Sequence, residues 1–243
     1  MELERYEANL ILQHEQNQDI IRRQKDEQEL QLLRNQKICN EMVTFERESK
    51  RKVKDHGYDR LILKNLNCEN NDLRNFFKTK YDKALLSNLV HFDLSGNQIS
   101  ELPETGIFYF MKSLRKLDLS KNKLKAIPLE VFTSLTSLQI FDASNNELEI
   151  VPEHISTLRC LSSVKVNRNK LEYLPKNIGC LSHLRLLDVS SNKLRTFPES
   201  ICTLTWLITL NASKNQLARL PDDIGFLYSL QYLNLEENDI QVR

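Results

Sequence analysis

An eleven-residue phrase, LxxLxLxxNxL with apolar exchanges, recurs eight times in this chain, beginning at Leu63, Leu89, Leu114, Leu138, Leu161, Leu184, Leu207 and Leu230. The spacing between starts shrinks from 26 through 25 and 24 to a steady 23 residues. A period of that size predicts a solenoid, in which each unit stacks on the next. An asparagine stands nine positions into every copy: Asn71, Asn97, Asn122, Asn146, Asn169, Asn192, Asn215 and Asn238. All six prolines lie six residues after one of these asparagines.

The spacing within a copy has a physical reading. In Leu114, Leu117, Leu119 and Leu124 the middle pair follows the period of two of a short strand buried on one face. After the strand the chain turns inside the stack, where backbone N–H and C=O groups need partners. Asparagine offers two donors and an acceptor on one short arm, whereas aspartate would bring a charge and no donor. The eight asparagines therefore read as a ladder. Proline next favours an extended turn and disfavours helix in the residue before it. An Ile and a Leu three apart follow in the 23-residue copies (Ile155 and Leu158, Ile178 and Leu181, Ile201 and Leu204, Ile224 and Leu227), placing both on the inner side of a helical turn. Apolar side chains in each copy are covered only by neighbours, so stability belongs to the array.

The segments LRKLDLSKNKLKAIP and LRLLDVSSNKLRTFP resemble the leucine-rich repeat family, and the resemblance extends over most of residues 57–243. The LPxxI form in ELPETGI, YLPKNIG and RLPDDIG is similar to the intracellular branch of that family, which includes the Ras-pathway leucine-rich-repeat scaffold and its plant relatives. This resemblance implies an α/β solenoid of about eight repeats with a parallel sheet on its concave face, and a common role in binding protein. It implies no particular partner.

Alternation places the third, fifth and seventh positions of each copy on the concave face. The fifth-position row runs Asn67, Asp93, Asp118, Asp142, Lys165, Asp188, Asn211, Asn234. Neighbouring strands lie about 4.8 Å apart, so three carboxylates stack in succession and invite a cationic partner or internal compensation. Lys165 stands between Asp142 and Asp188, and Lys116 neighbours Asp118. Against this, aspartate is common at this position in the family resembled, where its carboxylate can bond the flanking hydroxyls. The third-position row contributes His91, Lys116, Ile140, Leu186 and Tyr232, of which the last three are apolar groups aimed outward, as partner anchors or as scattered surface residues. Trp206 occupies a flank position where other copies carry Cys160, His183 and Ser229; it suits either a binding hot spot or a ring folded over the repeat edge.

Residues 1–56 lack proline and are dense in Glu, Gln, Arg and Lys, which predicts a long charged helix. Leu3, Tyr6 and Leu10 begin a heptad that is then interrupted, leaving open a weak self-associating coiled coil or a helix whose end (Met42, Val43, Phe45) caps the first repeat. Arg47, Lys50, Arg51, Lys52 and Lys54 form a basic run, read as a solvated helix end or a nuclear address.

The net charge of +1 and 28 % charged residues argue against nucleic acid or membrane as partner on charge alone. The start MELERYEANL lacks the regions of a signal peptide, so the expected compartment is the cytoplasm, with the nucleus as alternative. Five cysteines, an odd number, without flanking cysteine-rich caps, make disulfides unexpected. Cys160, Cys180 and Cys202 fall in different registers and suggest no zinc site. No phosphate loop, HExxH or Ser, His and acid set is present, so no cofactor and no catalysis are expected. The sequence favours a non-enzymatic protein-binding adaptor. The alternative is a structural component of a cytoskeletal or ciliary assembly with the helix built into a larger coiled coil. The last copy, ending at Arg243 soon after Asn238, lacks its proline and Ile/Leu pair and reads as an incomplete repeat of a longer protein.

Overall fold

The computed structural model describes residues 19–20, 22–30, 32–33, 36–37, 40, 60–78, 86–103 and 106–241. From residue 60 onward the chain builds one parallel sheet of eight strands in sequential order. The strands are β1 (Arg60–Ile62), β2 (His91–Asp93), β3 (Lys116–Asp118), β4 (Ile140–Asp142), β5 (Ser163–Lys165), β6 (Leu186–Asp188), β7 (Thr209–Asn211) and β8 (Tyr232–Asn234). Each is three residues long because only the central residue and those just beyond it are locked by burial. Phe92, Leu117, Phe141, Val164, Leu187 and Leu210 each stand mid-strand and are almost completely buried.

The return path on the opposite side is made of short helical turns. α1 (Asn70–Lys78) follows β1, and α2 (Leu129–Ser134) follows β3. 3-10 turns serve the other repeats, at Ile107–Phe110, Glu153–Thr157, Ile178–Cys180, Glu199–Thr203 and Asp222–Phe226. Pro128, Pro152, Pro198 and Pro221 stand immediately before four of these segments, their φ near −57° to −69° holding the extended approach. Ile155, Leu158, Ile178, Leu181, Ile201 and Leu204 are buried against the sheet, as their spacing predicts, while Ile224 is only partly covered.

The asparagine ladder explains how a buried turn is tolerated. Asn122 Nδ2 donates to the carbonyls of Leu94 and Leu119, both at 3.0 Å, and its Oδ1 accepts from the N–H of Ile99 at 3.2 Å. The same three bonds recur at Asn146, Asn169, Asn192, Asn215 and Asn238. Each asparagine thus ties its own turn to the preceding one. The residue before it adopts a left-handed φ near +55° (Lys121, Asn145, Arg168, Ser191, Lys214, Glu237), or is Gly96 at +69°.

The first repeat departs from the sequence reading. β1 pairs Arg60 with His91, Leu61 with Phe92 and Ile62 with Asp93, so Leu63 corresponds to Leu94 and not to Leu89. Asn71 is therefore outside the ladder, in the first turn of α1. Its place is taken by Leu66, which is buried. Leu66 has no amide, and Asn97 compensates by accepting from two backbone N–H groups, Leu66 and Cys68, both at 3.0 Å. The fifth-position row likewise begins with Ile62, not Asn67. The physical reason is the pairing: Leu61 and Leu63 are the inward residues opposite Phe92 and Leu94, and Leu66 and Cys68 are buried beyond the strand, in the turn that Asn97 holds.

The long N-terminal helix expected for residues 1–56 lies largely outside the described residues, as do Leu3, Tyr6, Leu10, Met42, Val43, Phe45 and the basic run. Those described between 19 and 40 are helical and exposed, Ile20, Leu30, Leu32 and Leu33 among them, and they do not establish one long helix. Among the described residues no helix is long and apolar enough to cross a membrane.

Candidate functional site

The strand register brings the candidate sheet-face residues into two adjacent rows. His91, Lys116, Ile140, Ser163, Leu186, Thr209 and Tyr232 follow one another as paired residues, and Asp93, Asp118, Asp142, Lys165, Asp188, Asn211 and Asn234 form the parallel row. In-register parallel pairing holds these side chains at strand spacing without loops of their own.

The acidic row is tied down locally. Oδ1 of Asp118, Asp142 and Asp188 each accepts from the hydroxyl of the serine two residues on, at 2.7 Å, and from that serine's N–H at 3.0–3.1 Å. Asp93 accepts from Ser95 N–H at 2.9 Å. Lys165 is the cation in the row, and there the residue two positions on is Asn167 instead of serine. The carboxylates thus close the turn after each strand, leaving Oδ2 of each without a hydrogen-bond partner among the described residues. Lys165 lies in register between Asp142 and Asp188 but forms no ion pair with either, so compensation there is through space only.

Apolar side chains interrupt this polar field. Ile140 is 38 % exposed and Tyr232 51 %, while Leu186 is half-buried. His91, beside Lys116 in register, has its Nε2 buried without a partner. Burial, followed by the Lys116 charge, holds its pKa below the usual histidine value, against the pull of Asp93.

A second feature lies along the edge where each strand begins. Gln139, Cys160, Ser162, His183, Arg185 and Trp206 line an open groove of about 470 Å³. Cys160, His183 and Trp206 occupy the same position in three successive repeats, just before the first leucine, and Gln139, Ser162 and Arg185 follow that leucine in theirs. Trp206 is 60 % exposed, its ring lining the groove. His183 Nδ1 lies 3.0 Å from the Arg159 carbonyl, which can only accept, so Nδ1 carries the proton. Reading the sequence by rows of the strand alone misses Gln139, Ser162 and Arg185; comparing the residues on either side of each first leucine would have found them.

The three cysteines singled out by sequence are separate: Cys160 and Cys180 are exposed and Cys202 is buried. Burial, then the charges of Glu199 and Asp223, push the Cys202 thiol up, so it is a poor thiolate. Asn71 lines a polar groove of about 450 Å³ with Glu69, Asn70, Arg74, Gln98, Ser100, Glu101 and Lys123 at the other edge.

Comparison with known proteins agrees with this architecture. Residues 164–242 match the family described as leucine-rich repeat region, and residues 87–148 and 112–171 match leucine rich repeat. The chain is 32 % identical over 124 residues to mouse (Mus musculus) leucine-rich repeat serine/threonine-protein kinase 1, covering 49 % of this chain and 6 % of that protein. It is 35 % identical over 95 residues to human (Homo sapiens) leucine-rich repeat and IQ domain-containing protein 4, covering 39 % of this chain and 17 % of the relative. Among solved structures, a leucine-rich repeat protein of Leptospira interrogans superposes with a TM-score of 0.62 at 34 % identity, covering 65 % of this chain and 40 % of that one. The ectodomain of the Arabidopsis thaliana membrane receptor kinase GASSHO1/SCHENGEN3, in complex with Casparian strip integrity factor 2, gives 0.58 at 31 % identity over 63 % of this chain and 19 % of the receptor chain. The chain therefore spans less than half the length of these proteins, and the similarity to the kinase is confined to its repeats.

Proposed function

We propose that this chain, whose residues 87–242 belong to the leucine-rich repeat family, is a non-enzymatic adaptor that holds a protein partner on its sheet face. Leucine-rich repeat domains commonly mediate protein–protein interaction, and the fold is typically non-catalytic. The observation that carries the reading for this chain is the exposure of Ile140 and Tyr232, with half-buried Leu186 between them, on a sheet face that no described element covers. Apolar groups held on a rigid sheet and bordered by polar ones act as anchors, because a partner that covers them removes apolar surface from water at no ordering cost to the sheet. The half-buried row Asp118, Asp142 and Asp188, each with one carboxylate oxygen available, gives the rim its polarity, with Asp93 buried at its end, and Lys116, Lys165 and His91 add donors. The IQ-domain and kinase relatives and the LPxxI form support placing the adaptor in intracellular signalling, in the manner of the Ras-pathway scaffold, with residues 1–56 joining or positioning the complex.

The test is affinity purification of the full chain with quantitative mass spectrometry, beside Tyr232→Ala and Ile140→Asp. Both positions are exposed and both variants should fold. A set of proteins lost together from both variants is the expected result; identical recovery with all three baits would refute the sheet-face reading.

A further inference from the structure

From β2 to β8 the strand-entry edge of the solenoid is free of acid. The six residues leading into and starting each strand from β2 to β8 read LSNLVH (86–91), MKSLRK (111–116), LTSLQI (135–140), LRCLSS (158–163), LSHLRL (181–186), LTWLIT (204–209) and LYSLQY (227–232), without one aspartate or glutamate. Lys112, Arg115, Arg159 and Arg185 are exposed along it, with His183 among them. None of these four cations takes part in an ion pair among the described residues. The opposite edge behaves differently: there Arg74 meets Glu101 at 3.2 Å, Lys170 meets Glu147 at 2.8 Å and Lys214 meets Glu237 at 3.3 Å. In a chain with a net charge of only +1, acids and cations thus share the one edge, where three ion pairs form, while the entry edge of β2 to β8 carries cations alone.

The groove of Gln139, Cys160, Ser162, His183, Arg185 and Trp206 lies on the unpaired edge. We propose that it binds an acidic, extended segment of a partner protein, with Arg185 taking a carboxylate and Trp206 covering an apolar or aromatic side chain beside it. A guanidinium recognises a carboxylate through two parallel N–H donors. The Gln139 amide supplies neutral donors next to it, the Ser162 hydroxyl being engaged by the Gln139 carbonyl, and His183 offers Nε2 because Nδ1 is engaged by Arg159. Arg115 and Arg159, on neighbouring repeats, extend the cationic field and draw an acidic chain along the edge. Tryptophan and arginine are among the residue types most enriched where a few side chains dominate binding energy. The proposal rests on the reading of this chain as a protein-binding module, but it concerns the edge and not the sheet floor.

Trp206 is the chain's only tryptophan, so its emission reports on the groove. A short peptide alternating glutamate and serine around one central leucine is titrated into the full chain, beside its glutamine counterpart. The expected result is a saturable change in Trp206 emission with the glutamate peptide alone, weakened by added salt, weakened about tenfold by Arg185→Gln and unchanged by Lys193→Gln at the exposed opposite edge. Arg185 is exposed, and unaltered circular dichroism of Arg185→Gln checks that the variant folds. Equal binding of the glutamine peptide, indifference to Arg185→Gln, or tighter Arg185-dependent binding of a single-stranded oligonucleotide or a phosphatidylserine vesicle would each overturn the proposal. Failure here with the Tyr232 and Ile140 variants still losing their partner would remove the edge site alone.

Discussion

At the scale of single residues, the ladder asparagines are the least replaceable side chains. Asn146 Nδ2 reaches the carbonyls of Leu119 at 3.0 Å and Ala143 at 3.1 Å while Oδ1 takes Leu124 N–H at 2.9 Å. Asn146→Ala leaves three buried backbone groups without partners, and we expect a loss of about 2–3 kcal/mol in urea unfolding. Asn146→Asp, which keeps only the acceptor, should be no better. Asn71→Ala should stay within about 0.5 kcal/mol of the parent, since Asn71 is exposed on α1; a loss like that of Asn146 would restore it to the ladder. His91 gives a pH-dependent test. Its folded pKa lies below the ordinary 6.5, chiefly through burial, so the unfolded chain takes up this proton first as pH falls. The stability it contributes is complete above about pH 6.5 and is lost as pH drops below that value. Urea unfolding between pH 7.5 and 5.5 should show a shallower decline for His91→Gln than for the parent.

At the scale of elements, the turns opposite the sheet stack closely in the middle of the array and openly at its end. A Cβ on Gly179 would collide with the Ser200 carbonyl and Thr203 Oγ1 of the next turn, whereas one on Gly225 would meet no atom within 4 Å. Gly179→Ala should therefore cost about 1–3 kcal/mol through overpacking. Gly225→Ala should be neutral or stabilise by up to about 1 kcal/mol, since it only restricts the unfolded chain; paired thermal melts would decide both. The two glycines occupy the same place in their repeats and look alike in sequence. Only the presence of a following turn separates them. Strand length, proline placement and the inward Ile/Leu pairs were all legible, because each follows from a local period. The register of β1 was not, because the eleven-residue phrase at Leu63 matches by composition while burial selects Leu61 and Leu63 as the inward pair. One signal was present: no proline stands six residues after Asn71, where Phe77 is found.

At the scale of the whole molecule, the two ends of the sheet differ. Leu61 of β1 is 2 % exposed, but Leu233, at the equivalent place in β8, is 41 % exposed. In an array where each repeat covers its neighbour, a further repeat should dock on β8 and stabilise the whole. Inserting a second copy of residues 219–241 after Gln241 should raise unfolding free energy by about 1–3 kcal/mol, the worth of burying one leucine side chain; an unchanged urea midpoint would mean that the β8 edge does not accept a repeat. What the sequence determined by itself is the solenoid, its asparagine ladder from Asn97 to Asn238, and the rows in which side chains face outward, because period alone sets these. Tertiary structure decided which residues meet across repeats: that Leu66 and not Asn71 enters the first turn beside Asn97, and that Cys160, His183 and Trp206 from successive repeats share one groove. Those are contacts between residues more than twenty positions apart, and only stacking brings them together.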